Sequence, residues 1–328
     1  MKLLYREPSP KTKKTMAEVA LNPTSSLKDI YEEEAKEKIL SKTNHSYCEI
    51  VNSGNAAIMV AMNATPGPII IPDQGAWHGF KQIAKFLNKE VFAIKTNLGL
   101  INENILEKFL EENTSIKNED NLSTLFLTSF AGYTAEQPMK EIANWCNENN
   151  IILAEDASGA ICDPEKNLAN GKYSDIVIAS TSSPKVINVG DGGIITTNID
   201  DIFEKSSVLL KIAKSNNITK CGIATEIDFA EDNLKKTIEA TEYIKNNLDN
   251  VIHPTKRGTN VIIKSEDNQS LAKNLREEFD LGGKSIISKC PNYNRLKIKG
   301  VAIEIKNIDT KSLRKENLDK IIDIIKNQ

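Results

Sequence analysis

The chain has 328 residues and a formal net charge of −3, with a pI of about 5.8. This near-neutral balance argues against a nucleic-acid-binding protein. The sequence has no apolar run near the roughly 18 residues of a membrane helix, and its first residues have no signal-peptide core. Its five cysteines show no paired spacing and its three histidines are far apart, which predicts neither disulfides nor a metal site. We therefore expect a cytoplasmic protein that contacts neither membrane nor nucleic acid.

Residues 1–27 carry scattered Pro, Lys and Thr and are interpreted as an N-terminal arm. A charged helix over 28–42 follows, and a polar loop is expected over 112–122. The remaining patterns alternate between helix and strand: helices cover 55–64, 78–87, 102–112 and 138–148, and strands cover 68–72, 90–94, 124–128, 151–155, 174–180 and 193–197. This alternation is typical of an α/β fold with a mostly parallel sheet flanked by helices.

The last third of the chain has a different pattern. Helical stretches at about 201–214 and 225–248 lead out of the first domain and into a small α+β unit, with strand 260–264, helix 269–279, strand 301–305 and a terminal helix over 313–326. A chain of this length can hold one large and one small domain. We therefore expect a large domain over 28–210 and a small C-terminal domain over 211–328 that includes the connecting helix.

Lys185 lies between two predicted buried strands. It follows a hydroxyl-rich loop, Ser180 to Pro184, and precedes a glycine turn, Gly190 to Gly193. A lysine in this setting is poorly placed for a solvated surface charge and well placed to present its amine in a cleft. Such an amine can form a Schiff base with a carbonyl, including the aldehyde of pyridoxal 5'-phosphate (PLP).

Asp156 follows the predicted strand 151–155, in the sequence Glu155-Asp156-Ala157. Ligands of open α/β sheets bind at the carboxyl ends of the strands, so Asp156 is expected to face the same cleft as Lys185. A PLP enzyme needs a carboxylate there, because the carboxylate keeps the pyridine nitrogen protonated.

Ser53, Gly54 and Asn55 stand at the start of the apolar helix 55–64. The free backbone N–H groups and the dipole of a helix N-terminus bind phosphate, and glycine allows a close approach. Taken singly, these features have plainer explanations: a helix-capping serine, a turn-forming aspartate and a surface lysine. Their joint occurrence, each at a strand or helix end, favours a PLP site.

Together these segments resemble the fold-type I PLP enzymes, and most closely the DegT/DnrJ/EryC1/StrS aminotransferase family. That family has a Ser-Gly-x-Ala-Ala phosphate turn, a Glu-Asp-Ala strand end, and a lysine loop followed by Gly-Glu-Gly-Gly, where this chain has Asp191 in place of Glu. The resemblance covers roughly residues 28–200. It implies a fold-type I PLP-dependent transferase whose large domain binds the cofactor.

The resemblance also implies roles for the site residues. Lys185 would hold PLP as an internal aldimine and, once freed, would move the Cα proton as general base and acid. Asp156 would keep the ring protonated, and the phosphate would be held by Ser53, Gly54, Asn55, Ser180 and Ser182. The expected activity is an aminotransferase acting on a small amino donor and an unidentified keto acceptor, and the expected assembly is a homodimer.

Two further roles remain open from the sequence. Fold-type I enzymes usually stack an aromatic ring on the cofactor, and either Trp77 or His78 could supply it. A guanidinium grips a carboxylate through two hydrogen bonds, so Arg257 and Arg295 are candidates for binding the carboxylate of the substrate.

Three positions depart from the family pattern. The residue that usually contacts the ring hydroxyl of the cofactor, such as glutamine, is Gly159 here, and the asparagine after the lysine is Val186. The Asn-x-Arg segment that usually follows in the small domain of the family has no clear counterpart, and Thr225 to Phe229 stand near its place. These changes put a sugar-nucleotide substrate in doubt.

Two alternatives to an aminotransferase therefore stay open. One is another PLP reaction: a lyase, a desulfurase, or a transferase on a tRNA-bound amino acid, with Cys221 as a candidate nucleophile. The other is a non-catalytic protein that keeps the fold as a scaffold.

Overall fold

The computed structural model describes residues 1–22, 26–117, 122–292 and 295–328. Part of the expected polar loop, residues 118–121, lies outside the described residues. The helices are α1 (Pro10–Leu21), α2 (Ser26–Thr43), α3 (Gly54–Ala64), α4 (Gly79–Phe86), α5 (Glu103–Glu112), α6 (Met139–Glu148), α7 (Ile202–Lys205), α8 (Ser207–Ile212), α9 (Asn217–Asn246), α10 (Asn268–Glu278) and α11 (Lys315–Lys326). The strands are β1 (Tyr47–Val51), β2 (Ile69–Pro72), β3 (Val91–Ile94), β4 (Ser123–Thr128), β5 (Phe130–Ala131), β6 (Ala135–Glu136), β7 (Ile151–Asp156), β8 (Ile176–Ser180), β9 (Gly193–Thr197), β10 (Val261–Lys264), β11 (Ile287–Cys290) and β12 (Gly300–Ile303).

Within this part of the chain, seven strands form the central sheet in the order β1-β9-β8-β7-β4-β2-β3. The strands from β8 to β3 run parallel, whereas β9 pairs antiparallel with both β8 and β1. Every residue of β4 and β9 is buried, because helices cover both faces of a mostly parallel sheet. The sheet thus has a parallel centre with an antiparallel edge.

Strand β4 shows how the two faces of the sheet are filled. Side chains alternate between the faces of a strand, so Leu125 and Leu127 enter one apolar cluster while Phe126 enters another. The first cluster includes Trp145 of α6, and the second includes Phe80 of α4. The large core is therefore built in two layers, one on each side of the sheet.

Helix α9 connects the two cores. It has 30 residues and is about 45 Å long at 1.5 Å per residue. Ile223 and Ile227, toward its start, belong to the large core, whereas Ala240 and Ile244, toward its end, belong to the apolar cluster of the small C-terminal unit. That unit contains a three-stranded antiparallel sheet in the order β10-β12-β11, with α10 and α11 packed in the same cluster.

The N-terminal segment, interpreted from the sequence as an arm, contains helix α1. Ser9 caps this helix and Pro10 is its first residue, a combination that favours helix initiation. The backbone N–H of Ser9 and the hydroxyl of Thr12 both donate to Glu226 of α9, so the segment is tied to the connecting helix. No helix in the described part of the chain combines the length and the apolar character needed to cross a membrane.

Candidate active site

A cavity of about 320 Å³ lies at the carboxyl ends of β7 and β8 and at the start of α3. It brings together eight of the nine predicted site residues, namely Ser53, Gly54, Asn55, Trp77, Asp156, Ser180, Ser182 and Lys185. The carboxyl ends of parallel strands meet at one edge of a sheet, which is why residues far apart in sequence converge here. His78, the ninth predicted residue, is not among the described residues that line this cavity.

The start of α3 and the end of β8 meet at Gly54. Ser53 caps α3 by accepting a hydrogen bond from the N–H of Ala56 at 3.2 Å. A Cβ placed on Gly54 would lie 2.6 Å from the Cβ of Ser180, so only glycine fits. The Ser180 and Ser182 hydroxyls are 2.9 Å apart. This corner therefore presents hydroxyl groups beside the positive end of a helix dipole, a chemistry suited to phosphate.

Asp156 is buried at the end of β7. Its Oδ1 accepts hydrogen bonds from the N–H and the hydroxyl of Ser158, at 3.0 and 2.6 Å, and the Ser158 hydroxyl accepts one from the N–H of Ser180 at 2.8 Å. Burial raises the pKa of the Asp156 carboxyl, against the opposing effects of the Ser158 hydrogen bonds and the charge of Lys185. The carboxylate and the serine loop are thus one connected unit.

Lys185 is half-buried, and its Nζ donates a hydrogen bond to the hydroxyl of Tyr133 at 2.8 Å. Burial lowers the pKa of the Lys185 amine, but the Tyr133 hydroxyl and the Asp156 charge more than offset it, so the pKa lies above its ordinary value. The loop after Lys185 also contacts the N-terminal segment. The Arg6 guanidinium donates a hydrogen bond to the carbonyl of Val186 at 3.0 Å. The N-terminal segment therefore helps to fix the position of the lysine.

Tyr133 lines the same cavity and was missed by the sequence analysis. It lies in the short connection between β5 and β6, and no motif singles it out. The only available signal was its place in a short loop that follows the buried strand β4. Asp191, the residue in the family's glutamate position, also lines the cavity.

Trp77 and His78 occupy different places. The indole N–H of Trp77 donates to the side-chain carbonyl of Asn55 at 3.2 Å, which ties the ring to the start of α3. A Cβ on Gly79 would collide with the indole nitrogen, so the absence of a side chain at position 79 makes room for the Trp77 ring. The His78 ring meets the Trp77 ring edge-on, with centroids 5.0 Å apart. This arrangement favours Trp77 over His78 as the aromatic residue of the cavity.

The two candidate arginines also differ. Arg257 forms ion pairs with three carboxylates, those of Glu136, Asp163 and Glu165, which neutralise its charge. Arg295 pairs with Glu304 at 2.6 Å, and its guanidinium carbon lies 5.0 Å from the centroid of the Tyr133 ring. Both guanidinium groups are thus paired with carboxylates, and Arg295 also lies beside Tyr133, a residue of the cavity.

Cys221 is fully buried in α9. Its thiol donates to the carbonyl of Ile218, and burial raises the pKa of the thiol to about 11. A buried thiol with a raised pKa is a poor nucleophile. The structure therefore does not favour the interpretation of Cys221 as a catalytic cysteine.

Two family models match successive parts of the chain. A model of the DegT/DnrJ/EryC1/StrS aminotransferase family matches residues 12–225, and a model of the MJ1341 family C-terminal domain matches residues 231–326. The UDP-4-amino-4,6-dideoxy-N-acetyl-beta-L-altrosamine transaminase of Campylobacter jejuni is 32% identical over 117 residues, which cover 36% of this chain and 29% of that protein. The GDP-perosamine synthase of Caulobacter vibrioides is 33% identical over 72 residues, or 22% of this chain and 19% of that protein. In sequence, the chain thus spans less than a third of the length of these relatives.

Solved structures resemble the whole chain. Helicobacter pylori PseC, an aminotransferase involved in the biosynthesis of pseudoaminic acid, has a TM-score of 0.75 at 14% identity, with 100% of this chain and 99% of that chain covered. The serine palmitoyltransferase of Sphingomonas wittichii has a TM-score of 0.74 at 12% identity, covering 100% and 86%. These likenesses and the family match confirm the predicted fold-type I fold, with its mostly parallel sheet and small C-terminal unit, and the predicted family resemblance.

Proposed function

The chain belongs to the DegT/DnrJ/EryC1/StrS aminotransferase family, and from this premise we propose that it is a PLP-dependent aminotransferase acting on a small amino donor and a keto acceptor. One observation carries the proposal. The Lys185 amine, the Asp156 carboxylate and the phosphate corner, made by the start of α3 and the serine hydroxyls around the end of β8, line one cavity. These are the three groups needed by the aldehyde, the ring nitrogen and the phosphate of PLP.

The residues present fit this cofactor. The phosphate corner has neutral hydroxyl donors and a helix N-terminus, and the absence of a side chain at Gly54 lets α3 approach Ser180 closely. The buried carboxylate of Asp156 is a suitable partner for a protonated pyridine. When bound, PLP supplies an aldehyde that links to an amine and a ring that takes up the electrons left by loss of the Cα proton.

The residues of the chain then divide the work. Ser53, Ser180 and Ser182 hold the phosphate, together with the backbone N–H groups of Gly54 and Asn55. Asp156 holds the ring nitrogen in its protonated form, and Ser158 fixes the orientation of that carboxylate. Lys185 anchors the cofactor and, when its amine is free, takes the proton from Cα and returns it.

The relatives support the class of reaction more than the substrate. Both curated relatives named above are enzymes of nucleotide-linked sugars by name, yet the longer match covers 36% of this chain. The family's Asn-x-Arg segment has no clear counterpart in this chain, where Thr225 to Phe229, near its place, form part of α9. We therefore propose transfer of an amino group to a ketone, without assigning a sugar.

We further propose that the protein works as a cytoplasmic homodimer. Val208 and Ile212 on α8 are 66% and 74% exposed, which supports an apolar surface covered by a second copy. All five cysteines are free and buried, in keeping with a reducing compartment. Light scattering of the purified protein tests the dimer, since a monomeric mass at micromolar concentration would exclude it.

A half-reaction assay tests the proposed activity. The protein is loaded with PLP and mixed in turn with a panel of amino donors while the visible absorbance is followed. We expect at least one donor to convert the bound cofactor to its amine form, and a keto acid to restore the original spectrum. Lys185→Ala should lose this conversion, whereas Lys172→Ala, which changes a lysine beside the Tyr173 ring, should keep it. Release of carbon dioxide or sulfide without restoration by a keto acid would identify a different PLP reaction.

A further inference from the structure

Tyr133 makes a direct contact with the key amine that no sequence motif explains. Its hydroxyl lies 2.8 Å from the Nζ of Lys185, and the same Nζ lies 5.1 Å from the centroid of the tyrosine ring. The residue is buried, with 8% of its surface exposed. The hydroxyl of this buried ring therefore faces Lys185 and the cavity.

The backbone around Tyr133 is held in an unusual conformation. Its φ of 62° lies in the left-handed region, which is unfavourable for an aromatic residue. Its carbonyl accepts hydrogen bonds from the N–H groups of Thr259 and Asn260, at 2.8 and 2.9 Å, and the next carbonyl, that of Thr134, accepts one from Lys245. Such a conformation persists only where surrounding contacts determine it. Here Lys245, Thr259 and Asn260 supply those contacts.

Gly159 leaves room for the tyrosine ring. A Cβ on Gly159 would lie 2.8 Å from Cε1 and 3.0 Å from Cδ1 of Tyr133. Position 159 cannot carry a side chain while the ring occupies this place. Because Gly159 directly follows Ser158, which holds the carboxylate of Asp156, the ring fills the space that a side chain at 159 would take beside the cavity.

Charged groups surround the phenol. The Nζ of Lys306 and the guanidinium of Arg295 each lie 5.0 Å from the ring centroid, in addition to Lys185. Glu304 pairs with both of these cations, at 2.6 and 2.8 Å, and Asp156 lies on the cavity side. The three cations outnumber the two carboxylates, so this end of the cavity suits a ligand oxygen that carries negative charge.

We propose that Tyr133 positions Lys185: its hydroxyl holds the amine in the free protein and, once PLP is linked to Lys185, donates a hydrogen bond to the ring oxygen beside the linkage. In PLP bound to a lysine, that oxygen and the linking nitrogen are neighbours, so a hydroxyl in contact with Nζ reaches both. Tyr133 thereby takes the place of the absent side chain at Gly159. This inference rests on the proposed function.

The pH dependence of the spectrum reports this contact. The linkage to Lys185 is yellow when its nitrogen is protonated. Deprotonation removes the proton through which this nitrogen hydrogen-bonds to the negatively charged ring oxygen. A donor to that oxygen stabilises the deprotonated form and lowers the midpoint of the titration. Removing the hydroxyl should therefore raise the midpoint by about one pH unit, the scale of one hydrogen bond to a charged group.

The experiment compares Tyr133→Phe with Tyr243→Phe in the PLP-loaded protein. Each variant removes one hydroxyl and keeps the ring, but the Tyr243 hydroxyl donates to Asp319 at 2.6 Å, between α9 and α11. Visible spectra are recorded between pH 5 and 10, after borohydride mapping of the wild type has located the adduct. We expect the midpoint to rise in Tyr133→Phe and to stay at the wild-type value in Tyr243→Phe.

Two results would overturn the role of Tyr133 and leave the proposed function intact. One is an unchanged midpoint in Tyr133→Phe when the wild type carries PLP on Lys185, and the other is an equal shift in Tyr243→Phe. A wild type that forms no adduct with PLP would overturn both the proposed function and this inference. The absorbance midpoint does not depend on turnover, so the outcome is clear even if the amino donor is unknown.

Discussion

Gly54 and Ser180 meet so closely that a Cβ on the glycine would lie 2.6 Å from the Cβ of the serine. This contact joins the first residue of α3 to the last residue of β8. The phosphate corner therefore depends on the absence of a side chain at one position, and substitutions there should act on cofactor binding before they act on chemistry.

Gly54→Val should lower PLP affinity by at least about tenfold, or roughly 1.4 kcal/mol. The added methyl groups would push Ser180 away from α3 and block close approach of the phosphate. Turnover at saturating PLP should be partly kept, because Lys185 and Asp156 are unchanged. Fluorescence titration with PLP gives the affinity, and an unchanged dissociation constant would show that the phosphate lies elsewhere.

Asp156→Asn should slow the loss of the Cα proton by about 10²-fold, which corresponds to roughly 2.7 kcal/mol. The amide keeps the shape of the carboxyl but removes the charge that keeps the ring nitrogen protonated. Single-turnover absorbance measures this step directly. A variant that transaminates at the wild-type rate with every accepted donor would reduce Asp156 to a turn residue.

PLP affinity of the wild type should fall in acid. Burial raises the pKa of Asp156 in the free protein, so the carboxyl becomes neutral at a higher pH than an ordinary aspartate and then cannot balance a protonated ring. The PLP affinity of Asp156→Asn should not show this fall in acid. Asp175 is a matched control, because burial also raises its pKa while its carboxylate caps the N–H of Leu153 at 2.8 Å. Asp175→Asn should keep the wild-type pH dependence, and a matching loss there would point to general unfolding.

Glu304→Gln should destabilise the protein by about 3 kcal/mol at neutral pH, because it leaves two buried cations without a counter-charge. Burial alone would raise the pKa of Glu304, but Lys306 and Arg295 hold it well below its ordinary value. The stabilisation is therefore present above the unfolded pKa, near 4.3, and is lost as pH falls toward the folded pKa. Urea unfolding of the variant and the wild type at pH 7 measures the destabilisation, and the same measurement below pH 4 shows whether the difference is lost in acid. Equal stabilities of variant and wild type at pH 7 would contradict the expectation, and adding Lys306→Met should restore part of the loss.

Gly159→Ala should cost about 1–3 kcal/mol of stability, the range for overpacking a filled site. The new methyl group meets the Tyr133 ring, so the cost should largely disappear in a Tyr133→Ala background. A double-mutant cycle by urea unfolding measures this coupling. Additive effects of the two substitutions would mean that the contact contributes nothing.

The sequence predicted the parts of the site that are local. Ser53 and Asp156 stand at the ends of α3 and β7, and Lys185 lies in the loop after β8. The pattern of each element is visible within a dozen residues, and the parallel sheet brings the ends of β7 and β8 together. The alternation also predicted the sheet itself. Strands β1, β5, β6 and β11 were missed. Strands β5 and β6 have two residues each, and in β11 only Ile287 and Cys290 are buried, with Ser288 and Lys289 between them.

Tyr133 could not be found in this way. Its position depends on hydrogen bonds from Thr259 and Asn260, more than 120 residues later in the chain, and on a glycine at position 159. The sequence predicted a gap between two helical stretches but placed the start of the second at about residue 225, whereas α9 begins at Asn217. Asn216 accepts a hydrogen bond from the N–H of Thr219 at 2.8 Å, a capping signal that the apolar pattern alone does not show.

Borohydride reduction followed by peptide mapping tests the central claim most directly. The protein is incubated with PLP, reduced, digested and analysed by mass spectrometry, with Lys185→Ala treated in parallel. We predict a yellow protein whose visible band is abolished by borohydride, one phosphopyridoxyl adduct on Lys185, and no adduct in Lys185→Ala, which should still bind PLP without a covalent bond. A reduced adduct on a different lysine, or no adduct at all, would contradict the account.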